Sequence, residues 1–154
     1  MNLIRAIFVA CCVTLVSVSS SFSATFRVDD SASVPHEPIT AMRWRSLAPG
    51  RAADNAVEGA TFVTIRLNLA PWLNKTGKIY MVLPESSSNP IKVEWTTQGR
   101  LLGGRLVSGT RALVFDGAIR NTMIEDTIAL RLETDGRRLS APQRLQFHFE
   151  IDLE

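Results

Sequence analysis

The stretch that decides the fold is Gln143-Arg-Leu-Gln-Phe-His-Phe-Glu-Ile-Asp-Leu153, in which apolar and polar residues alternate without a break. Its apolar positions are Leu145, Phe147, Phe149, Ile151 and Leu153. Successive side chains of a β-strand point to opposite faces, so the pattern predicts a strand with one buried face and one polar face. Burying each apolar side chain contributes roughly 1.5–3 kcal/mol to folding. Such a strand needs a second sheet to pack against, and we expect Phe147 and Phe149 to anchor the core.

The rest of the chain repeats this kind of pattern. Residues 61–69, 78–83 and 126–134 also alternate, and the mixed apolar character of 78–83 predicts a central strand. Eight to nine short strands, separated by turn signals every eight to twelve residues, predict an antiparallel all-β sandwich. An immunoglobulin-like sandwich is the first choice and a jelly roll is the alternative, with Trp95 in the core. Asp135-Gly136 predicts a hairpin turn, and residues 122–125 predict a single helical turn.

The first 23 residues have the pattern of a signal peptide. Arg5 precedes the apolar run of residues 6–18, and a Ser-rich stretch then ends in small residues near Ser23. The apolar run is shorter than the about 20 residues that cross a bilayer, so a cleaved leader is preferred over a membrane anchor. We therefore expect an exported protein, in the periplasm or at the cell surface, with no stable membrane span after cleavage.

Cysteine content and charge exclude several classes of protein. Cys11 and Cys12 both lie in the leader, so the 131 residues that remain of 154 contain no cysteine and depend on their core for stability. Removing Arg5 leaves 16 basic and 15 acidic residues. These charges are interspersed, which argues against a nucleic-acid-binding stripe or a polybasic membrane patch.

Motifs that would indicate catalysis are missing from the sequence. The two histidines, His36 and His148, have no metal-ligand spacing, and no Gly-x-Ser-x-Gly sequence is present. We therefore predict neither an enzyme nor a cofactor or metal site. Glu150 and Asp152 share a face of the last strand and are expected to pair with Arg131 or Arg144 across the sheet. The three tryptophans, Trp44, Trp72 and Trp95, are expected in the core or at its corner rather than on a glycan-binding surface.

Residues 24–38 predict an extended N-terminal arm that precedes the sandwich domain of residues 39–154. Apolar residues lie at even positions of the arm, and these are the candidate interaction residues: Phe26, Val28, Ala32 and Val34. A flexible leader arm and a strand that pairs with a partner both fit this pattern.

The alternating arm, the terminal strand and the segment Pro90-Ile-Lys-Val-Glu-Trp-Thr-Thr-Gln98 together resemble the disulfide-free subunits of bacterial chaperone–usher pili. The resemblance implies an incomplete sandwich that is completed by a β-strand from another chain, so that the partners would be like subunits or another protein. It favours a fimbrial or cell-surface structural subunit acting through protein–protein contacts. The alternative is a self-contained periplasmic accessory or binding domain for a protein or glycan.

Overall fold

A computed structural model describes residues 24–46, 54–86, 89–139 and 145–154. The predicted leader, residues 1–23, and its cleavage site lie outside the described residues. Two antiparallel sheets pack face to face, which confirms the predicted all-β sandwich. Within the described ranges, no helix has the length and apolar character needed to cross a membrane.

The four-stranded sheet brings the two ends of the described chain together. Its strands, in spatial order, are β1 (Thr25–Val28), β10 (His148–Leu153), β5 (Thr76–Leu83) and β8 (Thr110–Ala118). All neighbours are antiparallel. The predicted central position of the strand over residues 78–83 is confirmed, because β5 lies between β10 and β8.

The six-stranded sheet is built around two long strands. Its strands, in spatial order, are β2 (Val34–Pro35), β4 (Ala56–Asn68), β9 (Met123–Asp135), β6 (Lys92–Thr97) and β7 (Gly104–Val107). The sixth strand, β3 (Arg43–Trp44), pairs with β4 on the same side as β2 but nearer its start. β4 and β9 pair along their whole lengths.

The core follows from strict alternation in the two long strands. In β4 the odd-numbered residues 57–67 are buried, and in β9 the even-numbered residues 124–134 are buried. Trp72 lies in the 3-10 turn Ala70–Trp72 and closes one end of the core, as the sequence predicted. Trp95 of β6 is also buried, and its indole Nε1–H donates to the carbonyl of Leu102 at 2.9 Å.

The last strand buries the residues that the alternation indicated. Phe149 and Ile151 are fully buried, while Leu145, Phe147 and Leu153 are half-buried and pack against the core. The strand begins at His148, although alternation predicted it from residue 143. Residues 145–147 are described but are not in a strand, and residues 143–144 lie outside the described ranges.

Two local predictions were wrong. Asp135-Gly136 does not form a hairpin, because β9 lies in the six-stranded sheet and β10 in the four-stranded one. Gly136 instead begins a 3-10 turn, Gly136–Arg138, in which the carboxylate of Asp135 accepts a hydrogen bond from the N–H of Arg137 at 3.0 Å. Residues 122–125 form no helical turn, because β9 already begins at Met123, opposite Asn68.

Candidate functional site

The structure separates the four predicted interaction residues. Val28 of β1 is fully buried, and Phe26 is 43% exposed with its ring centroid 6.2 Å from that of Trp72. Ala32 is exposed in a turn, and Val34 lies in β2 of the other sheet. Between residues 28 and 34 the chain leaves the four-stranded sheet and enters the six-stranded one. The four side chains therefore do not form one apolar face.

Two parts of the predicted arm, residues 24–38, pair with strands of their own chain as β1 and β2, and a turn at residues 31–32 separates them. Val28 of β1 is opposite Phe149 of β10, and Val34 of β2 is opposite Thr64 of β4. The turn between them is closed by the N–H of Ser33, which donates to the carbonyl of Asp30 at 2.9 Å. The physical reason for this placement is Val28, whose side chain fills part of the core between the two sheets.

A different surface carries most of the exposed apolar side chains of the six-stranded sheet. We call residues 34–44, which run along the open side of β4, the β2–β3 edge. Three large apolar side chains are exposed on it, and Ile39 is 81% exposed. A fourth exposed residue, Phe62, stands beside the edge on the outer face of β4, where it stacks on the ring of His36 with a centroid distance of 6.1 Å. The full set is Val34, Ile39, Trp44 and Phe62.

The backbone in the middle of this edge is left unpaired. The N–H of His36 donates to the carbonyl of Phe62 at 2.9 Å, and the N–H of Arg45 donates to the carbonyl of Ala56 at 3.0 Å. Between them, residues 37–42 make no hydrogen bond to any other described residue. An unpaired and exposed backbone at a sheet edge is a surface on which another chain can pair.

Gly59 explains how residues 40–42 lie so close to β4. A Cβ atom at position 59 would lie 2.5 Å from the Sδ of Met42, 2.9 Å from the Cγ2 of Thr40 and 3.2 Å from the carbonyl oxygen of Ala41. Only glycine leaves room for this approach. The side chain of Met42 packs against the core, so the unpaired segment is fixed at the sheet edge by packing rather than by hydrogen bonds.

An ion-pair network lies beside β3 on the outer face of the six-stranded sheet. The guanidinium of Arg45 contacts the carboxylates of Glu58 and Glu133 and lies 3.0 Å from that of Asp54. Arg131 donates to Glu58 at 2.6 Å. The hydrogen bond from Arg131, followed by that from Arg45, holds the pKa of Glu58 below its usual value. These charges satisfy one another and leave little capacity for a ligand.

Glu37 and Arg43 differ from that network because their side chains make no ion pair or hydrogen bond with another described residue. Both line a shallow groove of about 1060 Å³ on the outer face of the six-stranded sheet. Small side chains, among them Ala60 and Ala129, also line this groove. The β2–β3 edge therefore has one free acid and one free base on the same side.

The outer face of the four-stranded sheet is more fully paired. Arg111 lies 3.0 Å from the carboxylate of Asp152 and 4.2 Å from the ring centroid of Tyr80. The predicted pairing of Asp152 with Arg131 is wrong, because β9 and β10 belong to different sheets; the alternative, Arg144, lies outside the described residues. Burial acts to raise the pKa of Asp152, but hydrogen bonds from Thr25 and Arg111 outweigh it and leave that pKa below its usual value.

The titratable groups that the structure describes do not assemble into a recognisable catalytic arrangement. His36 shares a hydrogen bond of 2.9 Å with Thr64, and His148 lies 3.2 Å from Glu150. Among the described residues, no three His, Cys, Asp or Glu side chains are placed to hold a metal ion. The buried carboxylate of Asp126 accepts a hydrogen bond from the N–H of Leu101 at 2.8 Å, and so holds the β6–β7 loop over the core.

Most of the β2–β3 edge was not predicted from the sequence. Trp44 was expected in the core, but β3 lies at a sheet edge and the indole is 46% exposed. The six-membered ring of the indole packs so closely on Gly136 that a Cβ there would lie 2.6 Å from it. Phe62 gave a usable signal, because it is an aromatic residue at a position where the alternation of its strand demands a polar one. The sequence contains no comparable signal for Ile39, apart from the two prolines, Pro35 and Pro38, that precede it.

No protein-family model matches the chain, and no curated protein or solved structure matches it at a significant level. Its surfaces and their chemistry are therefore the basis for a functional proposal.

Proposed function

We propose that the chain is a non-enzymatic, exported and self-contained β-sandwich that acts through contact with another protein, and that the contact lies at the β2–β3 edge. Export rests on the leader pattern of residues 1–23. Protein–protein contact rests on a single observation: four large apolar side chains are exposed beside an unpaired stretch of sheet edge. Exposed apolar side chains that cluster, rather than lie singly, mark interaction surfaces.

The length of the edge supports the same proposal. From Val57, opposite Trp44, to Thr64, opposite Val34, β4 extends roughly 24 Å. Strand addition to an open edge gives a partner both backbone hydrogen bonds and side-chain contacts. A sheet face covered with ion pairs, such as that around Arg111, offers a partner neither unpaired backbone groups nor free side chains.

The test is site-specific photo-crosslinking in the native host. Benzoylphenylalanine at Ile39 or Phe62 is expected to form an adduct with a protein. The matched control is Leu102, which is similarly exposed but lies in the β6–β7 loop. Ile39→Asp should also suppress the adduct formed from position 62. The proposal fails if positions 39 and 62 give no adduct with a protein, or if position 102 gives the same adduct.

A second candidate, a fimbrial subunit, is favoured by the open side of β1. The N–H of Leu153 donates to the carbonyl of Ala24, so Ala24 and Leu153 are a hydrogen-bonded pair. Bonded and non-bonded pairs alternate between antiparallel strands. The backbone groups of Thr25 and Arg27 therefore point away from β10, toward a side on which the described sheet has no further strand.

Arg27→Pro tests this candidate, because proline at an edge strand removes an outward N–H and keeps the bonds to β10. A fimbrial subunit should form ladders on unboiled gels, and the variant should lose them while remaining folded. If the unaltered protein forms no ladder, the fimbrial role is rejected and the self-contained domain remains.

A further inference from the structure

We infer that the partner at the β2–β3 edge is a second copy of this chain, and that two edges meet antiparallel about a two-fold axis between Glu37 and Arg43. This inference rests on the proposed function and names the partner. Closed two-fold dimers present the same patch on both subunits, so the patch must be complementary to itself.

Charge complementarity is the observation that carries the inference. Glu37 and Arg43 lie on the same edge and line the same groove, and neither side chain has a partner in the described part of its own chain. A two-fold axis between these two residues places Glu37 of each copy opposite Arg43 of the other, and the contact occurs twice.

An apolar side chain lies within the same contact. Ile39 stands between Glu37 and Arg43 along the chain, so an axis between those two residues brings the most exposed large apolar side chain of each edge into the interface. The unpaired backbone of residues 37–42 is available for hydrogen bonds across the axis. Since Gly59 and Met42 hold this segment against β4, little ordering is required on association.

Charge-reversal variants test whether Glu37 of one copy faces Arg43 of the other. The dimer is measured by sedimentation of the purified exported chain over a wide concentration range. We expect a reversible dimer. Glu37→Arg and Arg43→Glu should each weaken it by roughly tenfold or more, because like charges then face each other at two symmetric positions. The double variant should restore the dimer, since each new arginine again meets a glutamate.

The controls are matched in chemistry and exposure. Arg27→Glu changes an exposed arginine that, like Arg43, has a glutamate as its cross-strand neighbour, but β1 lies in the other sheet. Glu85→Arg changes an exposed glutamate away from the edge. Both should leave the dimer unchanged.

A monomer at every concentration overturns the inference, as does a double variant no more dimeric than the single ones. If Arg43→Glu does not fold, Glu37→Arg still decides, because Glu37 makes no contact that its own sheet needs. If positions 39 and 62 crosslink only to a different protein, the proposed function stands and the second copy is rejected. If they crosslink to nothing, both are rejected.

Discussion

Val28 and Phe149 lie directly opposite each other in neighbouring antiparallel strands, and both side chains are fully buried in the same core. Val28 belongs to the first strand of the described chain and Phe149 to the last. The pairing ties the two ends of the domain together, and it makes β1 part of the sandwich. For this reason we favour a self-contained domain over a subunit that donates its arm.

The same substitution, valine to alanine, should have different effects on stability in β1 and in β2. Val28→Ala should lower the free energy of unfolding by roughly 1.5–3 kcal/mol, because it removes buried methyl groups from the core. Val34→Ala should change it by less than about 0.5 kcal/mol, because the side chain is half exposed. Urea unfolding measures both. A loss from Val28→Ala as small as that from Val34→Ala would show that β1 is not packed into the core.

The two phenylalanines of the terminal segment should differ in importance. Phe149→Ala is expected to cost about 3–5 kcal/mol, which is a large part of the stability of a small domain. Phe147 packs edge-on against Phe149 at a centroid distance of 6.0 Å but is only half-buried. Phe147→Ala should therefore cost clearly less. A chevron or equilibrium urea series that ranks them in the opposite order would contradict this packing.

Acid should destabilise the fold through its paired carboxylates. The hydrogen bond from Arg137 lowers the pKa of Asp135 to about 2, and the hydrogen bond from Lys92 lowers that of Glu133. A lowered folded-state pKa means that the unfolded chain binds protons first, so the stabilisation is present above the unfolded pKa and is lost as the pH falls through the folded one. The urea midpoint should therefore decline between about pH 5 and about pH 2.

Asp135→Asn is the control for that decline, because it removes one of the groups that titrate. Its urea midpoint should be lower near neutral pH and should fall less steeply in acid. A midpoint that falls with the same slope in the variant and the unaltered chain would exclude Asp135 as a contributor.

The close approach of the β2–β3 edge to β4 depends on Gly59. Gly59→Ala should destabilise the domain by about 1–3 kcal/mol, because the added methyl overlaps Met42 and Thr40. Met42→Ala removes the nearest of these contacts, so the cost of Gly59→Ala should be smaller in that background. Additive effects in the double-mutant cycle would be inconsistent with the observed contact.

Alternation in the sequence predicted the parts of the fold that depend on burial alone. The inward residues of β4, β9 and β10 could be identified because a strand between two environments must repeat every two residues. The alternation does not predict which of the two sheets a strand joins. Asp135-Gly136 reads as a hairpin turn, yet the chain crosses to the other sheet after it, because β10 pairs with β1 and β5. Local turn chemistry does not encode that choice.

The β2–β3 edge could not be predicted for a related reason. The alternation of Met42 and Trp44 with Arg43 and Arg45 predicts a short strand over residues 39–47, but among the described residues of this range only Arg43 and Trp44 form a strand on β4. The edge depends on Gly59, which lies far along the chain and admits residues 40–42 through close packing. The exposure of Ile39 follows from that long-range contact.

Amide hydrogen exchange at β1 tests most directly whether the chain completes its own sandwich. The amides of Phe26 and Val28 point toward β10 and should be protected nearly as well as the core of the sheet, whereas those of Thr25 and Arg27 point outward and should exchange rapidly. Rapid exchange at all four amides would show that the first strand is a free arm, and would contradict the account.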